Sequence, residues 1–334
     1  IEGMPYHKAL CQLKRTVGAE NFCCCLVSPL VQMGQDSDLK SKPTQQSVEK
    51  LLSQGLGPDL IVCRSVSPIT QAIIDKIYNT CPVGRDDIFN LLNLDTIYRV
   101  PIERQLKIRL HCDNQRDLSR WVRISDIAVN SKEEIIIALV GKYTSSTDCY
   151  TSVIKALEHA CYSIGAKPKI RFIDSSGLED ENGHGWNGLK TAHCLIVPGG
   201  FGLRGAEGKI NAIKWARKNK MPFLGICLGF QLAVVEYARD VLKMSDAHSE
   251  EFHQDLMGES FRPLVIEMLE YKDPENKMGG TMRLGLRPTH FVVENSILRE
   301  KYGGKKVIHE RHRHRYEINP VYIPELEDGG RKFV

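Results

Sequence analysis

The chain has 334 residues, which is enough for about two domains of roughly 150 residues each. An apolar share of 42% is sufficient for packed cores. No apolar run reaches the roughly 18 residues that a membrane span needs, so we expect no membrane partner. The formal net charge of +4 is small for this size, and no basic stripe is interleaved with aromatic residues, so we expect no nucleic-acid partner.

The start of the chain and its cysteines indicate the compartment. The chain begins Ile1-Glu2-Gly3, without Met and without the basic and apolar run of a signal peptide, so we expect an internal start. Eleven cysteines without a secretory signal predict reduced thiols and a cytoplasmic location rather than a disulfide framework. The run 23–25, Cys-Cys-Cys, has a metal site as its alternative, but the apolar context FCCCLVSPL favours a buried strand.

The first part of the chain alternates helical and strand-like patterns. Helices are predicted at 7–17, 47–54 and 69–79, and strands at 22–27 and 60–64. This alternation predicts a parallel sheet covered by helices. Residues 106–132 are polar and charged, which is typical of a linker that is partly helical.

A second alternating pattern begins after the linker. Strands are predicted at 134–140, 169–173 and 194–197, a buried strand at 222–226, and helices at 151–164, 210–218 and 228–242. The fold class expected is therefore α/β, with two domains that have mainly parallel sheets. We place the domains at 1–105 and 133–334, with the linker at 106–132 between them.

The segment GICLG, residues 225–229, joins a short apolar strand to an amphipathic helix. This is the pattern of a nucleophile elbow, in which a strained turn exposes a reactive residue between two glycines. The sulfur of Cys227 is then expected at a helix N-terminus, where N–H groups and the helix dipole favour a thiolate. The pattern alone leaves one alternative open, a buried cysteine in a glycine-rich turn.

A second glycine-rich segment decides between these alternatives. Residues 195–202, LIVPGGFG, indicate a strand that runs into a glycine-rich turn. Such a turn can place backbone N–H groups beside the sulfur, where a tetrahedral oxyanion would develop. An elbow cysteine together with an oxyanion turn predicts acyl transfer through a thioester.

Four motifs in this order, PGGFG, GICLG, GGTMRLG and ERHRHRYE, resemble the class I glutamine amidotransferase domain of the CTP synthase family. In the first half, SKPTQQSV and GPDLIVCRS resemble the synthetase domain of the same family. The resemblance extends over essentially the whole chain. It implies a partial P-loop-type synthetase domain followed by a flavodoxin-like amidotransferase domain.

The resemblance implies roles for individual residues of the second domain. Cys227 is expected to attack the carboxamide of glutamine, release ammonia and form a glutamyl thioester that water hydrolyses. The glutamine-binding residues implied are Gly200, Leu228, Gln231, Glu251 and Arg315. Without the family, Glu251 has the pattern of a solvated surface acid. The run 312–315 has a metal or phosphate patch as its alternative, but its mixture of cations suits a metal poorly and favours a structural or substrate contact. An arginine that pairs with a carboxylate gives orientation as well as energy.

The resemblance also implies that the first domain binds nucleotides. The residues implied are Glu2, Lys40, Lys42, Gln45, Lys76, Asn93 and Asp95. Lysines beside a turn that contains proline neutralise a triphosphate as point charges. Without the family, these lysines are ordinary surface residues.

The activity implied is that of a ligase that forms a C–N bond, making CTP from UTP with ATP and ammonia from glutamine. The family implies Mg²⁺ and ATP as cofactors, GTP as an activator, and a homotetramer that assembles into filaments. The phosphate-loop motif G-x-x-x-x-G-K-[ST] does not occur in the sequence. The segment GAEGKI at 205–210 has the wrong glycine spacing for such a loop. We therefore expect the Mg²⁺ ligands largely outside this chain and no metal site within it.

Besides the missing phosphate loop, the sequence departs from the family pattern at the general base. The family places its catalytic His and Glu in a Phe-His-Pro-Glu segment, and the chain stops at Lys332-Phe333-Val334 without it. Two alternatives stay open beside the ligase. The missing base and phosphate loop favour the first, a non-catalytic truncated subunit that acts in nucleotide binding or assembly with full-length partners. The second is a stand-alone amidohydrolase of the same elbow class with an unrelated first domain, and KSKPTQ argues against it.

Overall fold

The structure is a computed structural model that describes residues 3–32, 39–100, 117–144, 146–252, 261–268 and 283–333. The chain divides into two compact units, Ile1–Ser131 and Lys132–Val334. Within these described ranges, no helix is both long enough and apolar enough to cross a membrane. The ten described cysteines are free thiols.

The first unit is an α/β unit, as the alternating pattern predicts. Its helices are α1 (Met4–Val17), α2 (Lys42–Ser53), α3 (Gln71–Tyr78) and α4 (Ser119–Asn130). Its strands are β1 (Cys25–Pro29), β2 (Val31–Gln32), β3 (Leu39–Lys40), β4 (Leu60–Ser65) and β5 (Ile88–Leu92). The parallel sheet has the order β1-β4-β5, and β2 pairs with β3 in an antiparallel hairpin.

Strand β4 lies at the centre of this sheet and forms its core. Ile61 and Cys63 have no exposed surface, because they pack in one cluster with Val48 of α2 and with Ile73 and Ile77 of α3. Burial raises the pKa of the Cys63 thiol to about 12, so this cysteine stays protonated. The linker region is partly helical, as predicted, and Trp121 of α4 stacks on Tyr98 with ring centroids 6.5 Å apart.

The prediction of a buried strand across the cysteine run is wrong. Strand β1 begins only at Cys25, and both Cys23 and Cys25 are exposed. The physical reason is that β1 lies at the edge of the described sheet, where it pairs with β4 alone. Helix α2 covers one face of β1, and on that face Ser28 Oγ and Thr44 Oγ1 are 3.0 Å apart. Alternate side chains of such a strand face away from the core.

The second unit contains a larger parallel sheet with helices around it. Its helices are α5 (Thr151–Ser163), α6 (Trp186–Lys190), α7 (Ala206–Lys218), α8 (Leu228–Asp240), α9 (Ile297–Lys301) and α10 (Ile323–Asp328). Its strands are β6 (Glu134–Gly141), β7 (Lys167–Asp174), β8 (Cys194–Val197), β9 (Phe223–Gly225), β10 (Ala247–Ser249), β11 (Arg262–Glu267), β12 (Arg283–His290), β13 (Val307–His314) and β14 (Tyr316–Ile318).

The four-stranded sheet of this unit has the order β7-β6-β8-β9, and all its strands are parallel. The order reverses between β6 and β8, which makes their carboxyl ends the usual place for a ligand site in a doubly wound sheet. Strands β10, β11 and β14 form a second, small sheet, and β12 and β13 pair as an antiparallel ribbon. The four predicted strands of the large sheet are confirmed.

The core of the second unit explains why β8 can carry a site. Leu195 and Val197 of β8 are fully buried and pack with Leu232 of α8 and Ala212 of α7. Strand β9 differs from its prediction as a wholly buried strand, because it pairs with β8 alone in the described sheet and leaves Leu224 52% exposed.

An ionic cluster fixes α7 against α8. The Arg217 guanidinium on α7 donates to Glu236 on α8, with Nη2 2.8 Å from Oε1, and to Asp240 Oδ2 at 2.5 Å. Glu236 is buried, and the cations Lys214 and Arg217 hold the pKa of Asp240 far below its usual range. A bidentate arginine of this kind sets the relative position of the two helices that flank the site.

We predict that Leu195→Ala destabilises the second unit far more than Leu224→Ala does. Leu195 is fully buried on β8, whereas Leu224 on the neighbouring β9 is 52% exposed. Truncation of a buried leucine costs about 2–5 kcal/mol, because it leaves a cavity as well as losing burial. Urea unfolding of both variants measures the difference. Equal losses of stability would contradict the burial assigned to β8.

Candidate active site

The proposed nucleophile sits on a strained turn between β9 and α8. Cys227 has φ of +53° and ψ of −111°, a conformation that a residue with a side chain rarely adopts. The turn is held in place because Ile226 N donates to Val197 O at 2.9 Å and Gln231 N donates to Cys227 O at 3.1 Å. This is the local structure that the GICLG pattern predicts.

Two glycines make this turn possible by allowing close approach. A Cβ at Gly229 would lie 2.0 Å from Val197 O, so α8 begins directly against the end of β8. A Cβ at Gly225 would lie 2.6 Å from the backbone of Gly229 and of Phe230. Neither position accepts a side chain unless the strand and the helix move apart.

The glycine-rich turn after β8 lies against the cysteine, as predicted. A Cβ at Gly199 would be 3.3 Å from Cys227 Cβ and 3.8 Å from Cys227 Sγ. A Cβ at Gly200 would be 3.8 Å from Leu228 Cδ2. The backbone of this turn therefore reaches the sulfur and the first residue of α8, where an oxyanion of an acyl-transfer reaction would need N–H donors.

A buried lysine and a half-buried glutamate hold the next part of the turn. The ammonium of Lys142, which follows β6 directly, donates to the carbonyl of Phe201 and, at 2.5 Å, to that of Gly202. The carboxylate of Glu251 accepts from Gly202 N at 2.7 Å. Lys142 donates to two carbonyls of the turn and Glu251 accepts from one of its N–H groups. These hydrogen bonds fix the backbone of the turn from two sides.

The surroundings of Cys227 act in opposite directions on its ionisation. Burial raises the pKa of the thiol most, and the Glu251 carboxylate raises it further. The backbone N–H of Leu228, at the start of α8, and the cation Lys209 both lower it. Together these effects raise the pKa of the partly exposed Cys227 thiol, and the Leu228 N–H and Lys209 limit that rise because they favour the thiolate.

The predicted glutamine-binding residues converge on the same place. Gln231 on α8 donates to Tyr316 O at 3.0 Å, next to Arg315, whose Nε lies 3.9 Å from Glu267 Oε1. Burial raises the pKa of Glu251, while Gly202 N–H, two lysines and Arg315 lower it. Burial also raises the pKa of Tyr316 to about 12. Leu228 and Glu251 act on Cys227, Gly200 lies beside Leu228, Gln231 follows one turn along α8, and Arg315 acts on Glu251.

Comparison with known proteins matches both units to one family. The family model described as CTP synthase N-terminus matches residues 1–111, and the one described as Glutamine amidotransferase class-I matches residues 146–332. Over its whole length the chain is 44% identical to CTP synthase 2 of Xenopus laevis and 43% identical to CTP synthase 1 of Homo sapiens. The chain belongs to the CTP synthase family.

A solved structure of the CTP synthase family resembles the chain as well. This is the glutaminase domain of Trypanosoma brucei CTPS with bound acivicin, at 39% identity and a TM-score of 0.53, covering 59% of this chain and 72% of that one. The chain spans about 60% of the length of the curated CTP synthases that it matches. The family and the fold class predicted from the four motifs are thereby confirmed.

Sequence reasoning missed two buried lysines beside the glycine turn, Lys142 and Lys209. Lys142 directly follows the carboxyl end of β6, so the rule that ligand sites lie at these strand ends would have found it. Lys209 lies in GAEGKI, which the spacing rule rejects as a phosphate loop, and the structure places it beside Cys227 and Glu251. No local pattern distinguishes Lys209 from an ordinary helix lysine.

The predicted nucleotide-binding residues of the first unit fall into separate places. Lys40 and Lys42 are exposed on either side of the β3–α2 connection, and Gln45 Nε2 donates to Ser41 Oγ at 3.3 Å. Asn93 and Asp95 follow the carboxyl end of β5.

The remaining residues predicted to bind nucleotides lie in different local surroundings. Asn93 N donates to Ser65 O at 2.8 Å, and Asp95 pairs with Arg99 at 2.6 Å. Lys76 is exposed on the last turn of α3, away from these strand ends. Glu2 and part of the GGTMRLG motif lie outside the described residues. The roles of all these residues stay predictions.

We predict that Gly229→Ala abolishes the elbow geometry, whereas Gly188→Ala does not. The new Cβ at 229 would meet a backbone oxygen at 2.0 Å, but at 188 it would meet only the end of the Ile173 side chain, at 3.3 Å. Peptide-resolved alkylation of Cys227 by iodoacetamide measures the effect, and we expect at least about a tenfold loss in Gly229→Ala. Unchanged alkylation in that variant would show that the close approach is not needed.

Proposed function

We propose that this protein works in the synthesis of CTP from UTP and ATP, with ammonia that the second unit releases from glutamine. The observation that carries the proposal is Cys227, held at φ of +53° between a helix N-terminus and the turn at Gly199 and Gly200. Family membership supports the same reaction.

The glutaminase step follows from the chemistry of this arrangement. The Cys227 thiolate attacks the carboxamide carbon of glutamine, and the carbonyl oxygen becomes an oxyanion. We propose that backbone N–H groups of the turn at Gly200 and of Leu228 stabilise it, since both segments lie beside Cys227. When the C–N bond breaks, the amide nitrogen takes a proton and leaves as ammonia, and a glutamyl thioester remains. Water then cleaves the thioester, releasing glutamate and restoring the thiol.

The charged groups around Cys227 match the two ends of the amino acid. Glu251 is a half-buried anion, suited to an α-ammonium group, and Arg315 is a largely buried cation, suited to an α-carboxylate. Gln231 is buried between Cys227 and Tyr316 and completes the wall of the site. We propose that these three residues orient glutamine so that its carboxamide meets the sulfur.

We propose that the first unit binds the triphosphate of UTP or CTP at the β3–α2 connection. Lys40 and Lys42 are exposed there, close to the strand ends where parallel sheets bind ligands. Asn93 and Asp95, at the end of β5, are proposed to contact ATP. Lys76 has no place in this arrangement and stays a prediction of the resemblance.

Magnesium is expected with ATP in this family. Among the residues that the structure describes, no three His, Cys, Asp or Glu side chains are grouped so as to hold a metal ion. We therefore assign no Mg²⁺ ligand in this chain and derive no step through the metal. GTP activation, a homotetramer that forms filaments and a cytosolic location are proposed on family membership alone.

We predict that an electrophilic glutamine analogue labels Cys227, and that glutamine protects it. Arg315→Met should slow labelling about tenfold or more, because a charge-assisted pair of about 1.5–3 kcal/mol is lost. The control is Arg287→Met, an exposed arginine on β12. Peptide mass spectrometry locates the adduct, and Cys227→Ser should remove it.

The labelling experiment has a clear negative result. If the adduct appears on other cysteines with equal speed, or if glutamine gives no protection, the glutaminase proposal is wrong. Exposed Cys149 provides the internal reference for non-specific alkylation in the same sample.

For the first unit, we predict that Lys40→Met and Lys42→Met each weaken UTP binding about tenfold, since each removes one charge-assisted contact to phosphate. The matched control is Lys50→Met, an exposed lysine in the last turn of the same helix α2. Isothermal titration of the chain with UTP gives the dissociation constants. Equal losses in all three variants would indicate a general charge effect and contradict a specific site.

A further inference from the structure

Lys209 is buried in a place that disfavours a cation. It lies on the first turn of α7, and its side chain is 1% exposed. Lysine is almost never fully buried unless it is paired, and the positive end of a helix dipole repels a cation. The nearby ammonium of Lys142 adds like-charge repulsion. The fold therefore keeps a charge where packing alone would favour an apolar residue.

The ammonium of Lys209 lies beneath the same turn that faces the cysteine. Lys209 Nζ is 3.8 Å from the position of a Cβ at Gly200. On the neighbouring glycine, Gly199, a Cβ would be 3.8 Å from Cys227 Sγ. Two adjacent glycines of this turn thus lie close to the cation and to the sulfur, Gly200 to Lys209 Nζ and Gly199 to Cys227 Sγ.

The charged groups around Lys209 come from three elements. Lys142 faces it from the end of β6, Glu251 from the segment after β10, and Cys227 from the elbow. Arg315 acts on Glu251 in turn. Lys142 donates to the carbonyls of the turn, and Glu251 accepts from Gly202 N–H, so both already have partners. Among the described residues, Lys209 is the side-chain cation that acts on Cys227.

We propose that Lys209 is a positioning residue whose charge, set beneath the glycine turn, stabilises the thiolate of Cys227. The inference rests on the proposed function in that it takes Cys227 as the nucleophile. The charge of Lys209 then activates Cys227 in addition to the effect of the N-terminus of helix α8.

The buried charge of Lys209 lowers the stability of the folded chain, and this loss depends on pH in a way that can be measured. Burial lowers the pKa of Lys209 from 10.5 to about 8 in the folded chain. The folded state therefore binds this proton more weakly than the unfolded state does, so protonated Lys209 opposes folding fully below pH 8 and not at all above pH 10.5. A neutral residue of similar size should make the fold more stable at pH 7 and the cysteine less reactive.

The test is peptide-resolved alkylation of Cys227 by iodoacetamide from pH 6 to 10, in the unmodified chain and in Lys209→Met. We expect Lys209→Met to react about tenfold more slowly below pH 8, equivalent to a pKa shift of roughly one unit. The difference should narrow above pH 8, where Lys209 loses its own proton. The melting temperature at pH 7 should rise. Lys305→Met, which changes an exposed lysine elsewhere in the second unit, should change neither quantity.

Several results would overturn the inference. An unchanged Cys227 profile in folded Lys209→Met, or a rate reduced by one factor at every pH, would mean that Lys209 acts through packing alone. Lys209→Arg retains a cation, and it should keep the fast reaction at pH 7. If the arginine variant reacts as slowly as the methionine variant, charge is not the cause.

This experiment is independent of glutamine recognition. Iodoacetamide needs only a thiolate, so the pH signature can appear even if the glutamine analogue fails to label Cys227. That combination would reject the proposed function and leave the role of Lys209 standing. The reverse combination, analogue labelling without the pH signature, would reject only the role of Lys209.

Discussion

Helix α8 begins so close to the end of β8 that position 229 has no room for a side chain, since a Cβ there would lie 2.0 Å from Val197 O. The same contact leaves the preceding residue little choice of conformation, and Cys227 adopts φ of +53°. This strained backbone conformation persists because the buried residues around it hold the strand and the helix in place. The position of the sulfur, at the first N–H groups of α8, is a consequence of that packing.

The other parts of the site follow from the parallel sheet. Strands β6, β8 and β9 end at the same edge, and Lys142, the glycine turn and Cys227 come directly after them. Lys142 and Glu251 fix the backbone of the turn, and Lys209 lies beneath it. The small sheet supplies Glu251 after β10 and Arg315 before β14, so two sheets contribute charges to one place.

Sequence reasoning predicted the parts of this arrangement that local chemistry determines. Glycines on both sides of Cys227 are required by close approach, and the apolar runs of β6 and β8 are required by burial in a parallel sheet. It failed where tertiary position decides. Exposed Cys25 and Leu224 lie on strands with one neighbour in the described sheets, and an apolar run does not reveal that position. Lys209 has the pattern of an ordinary helix lysine, and only the fold places it near a thiol.

The central claim is that Cys227 forms a glutamyl thioester. Rapid acid quenching of the chain with radiolabelled glutamine measures this intermediate directly. The account predicts label on the peptide that contains Cys227, released by hydroxylamine as thioesters are, and absent from Cys227→Ala. Label that resists hydroxylamine, label on another residue, or no covalent label while ammonia is released would contradict the thioester mechanism.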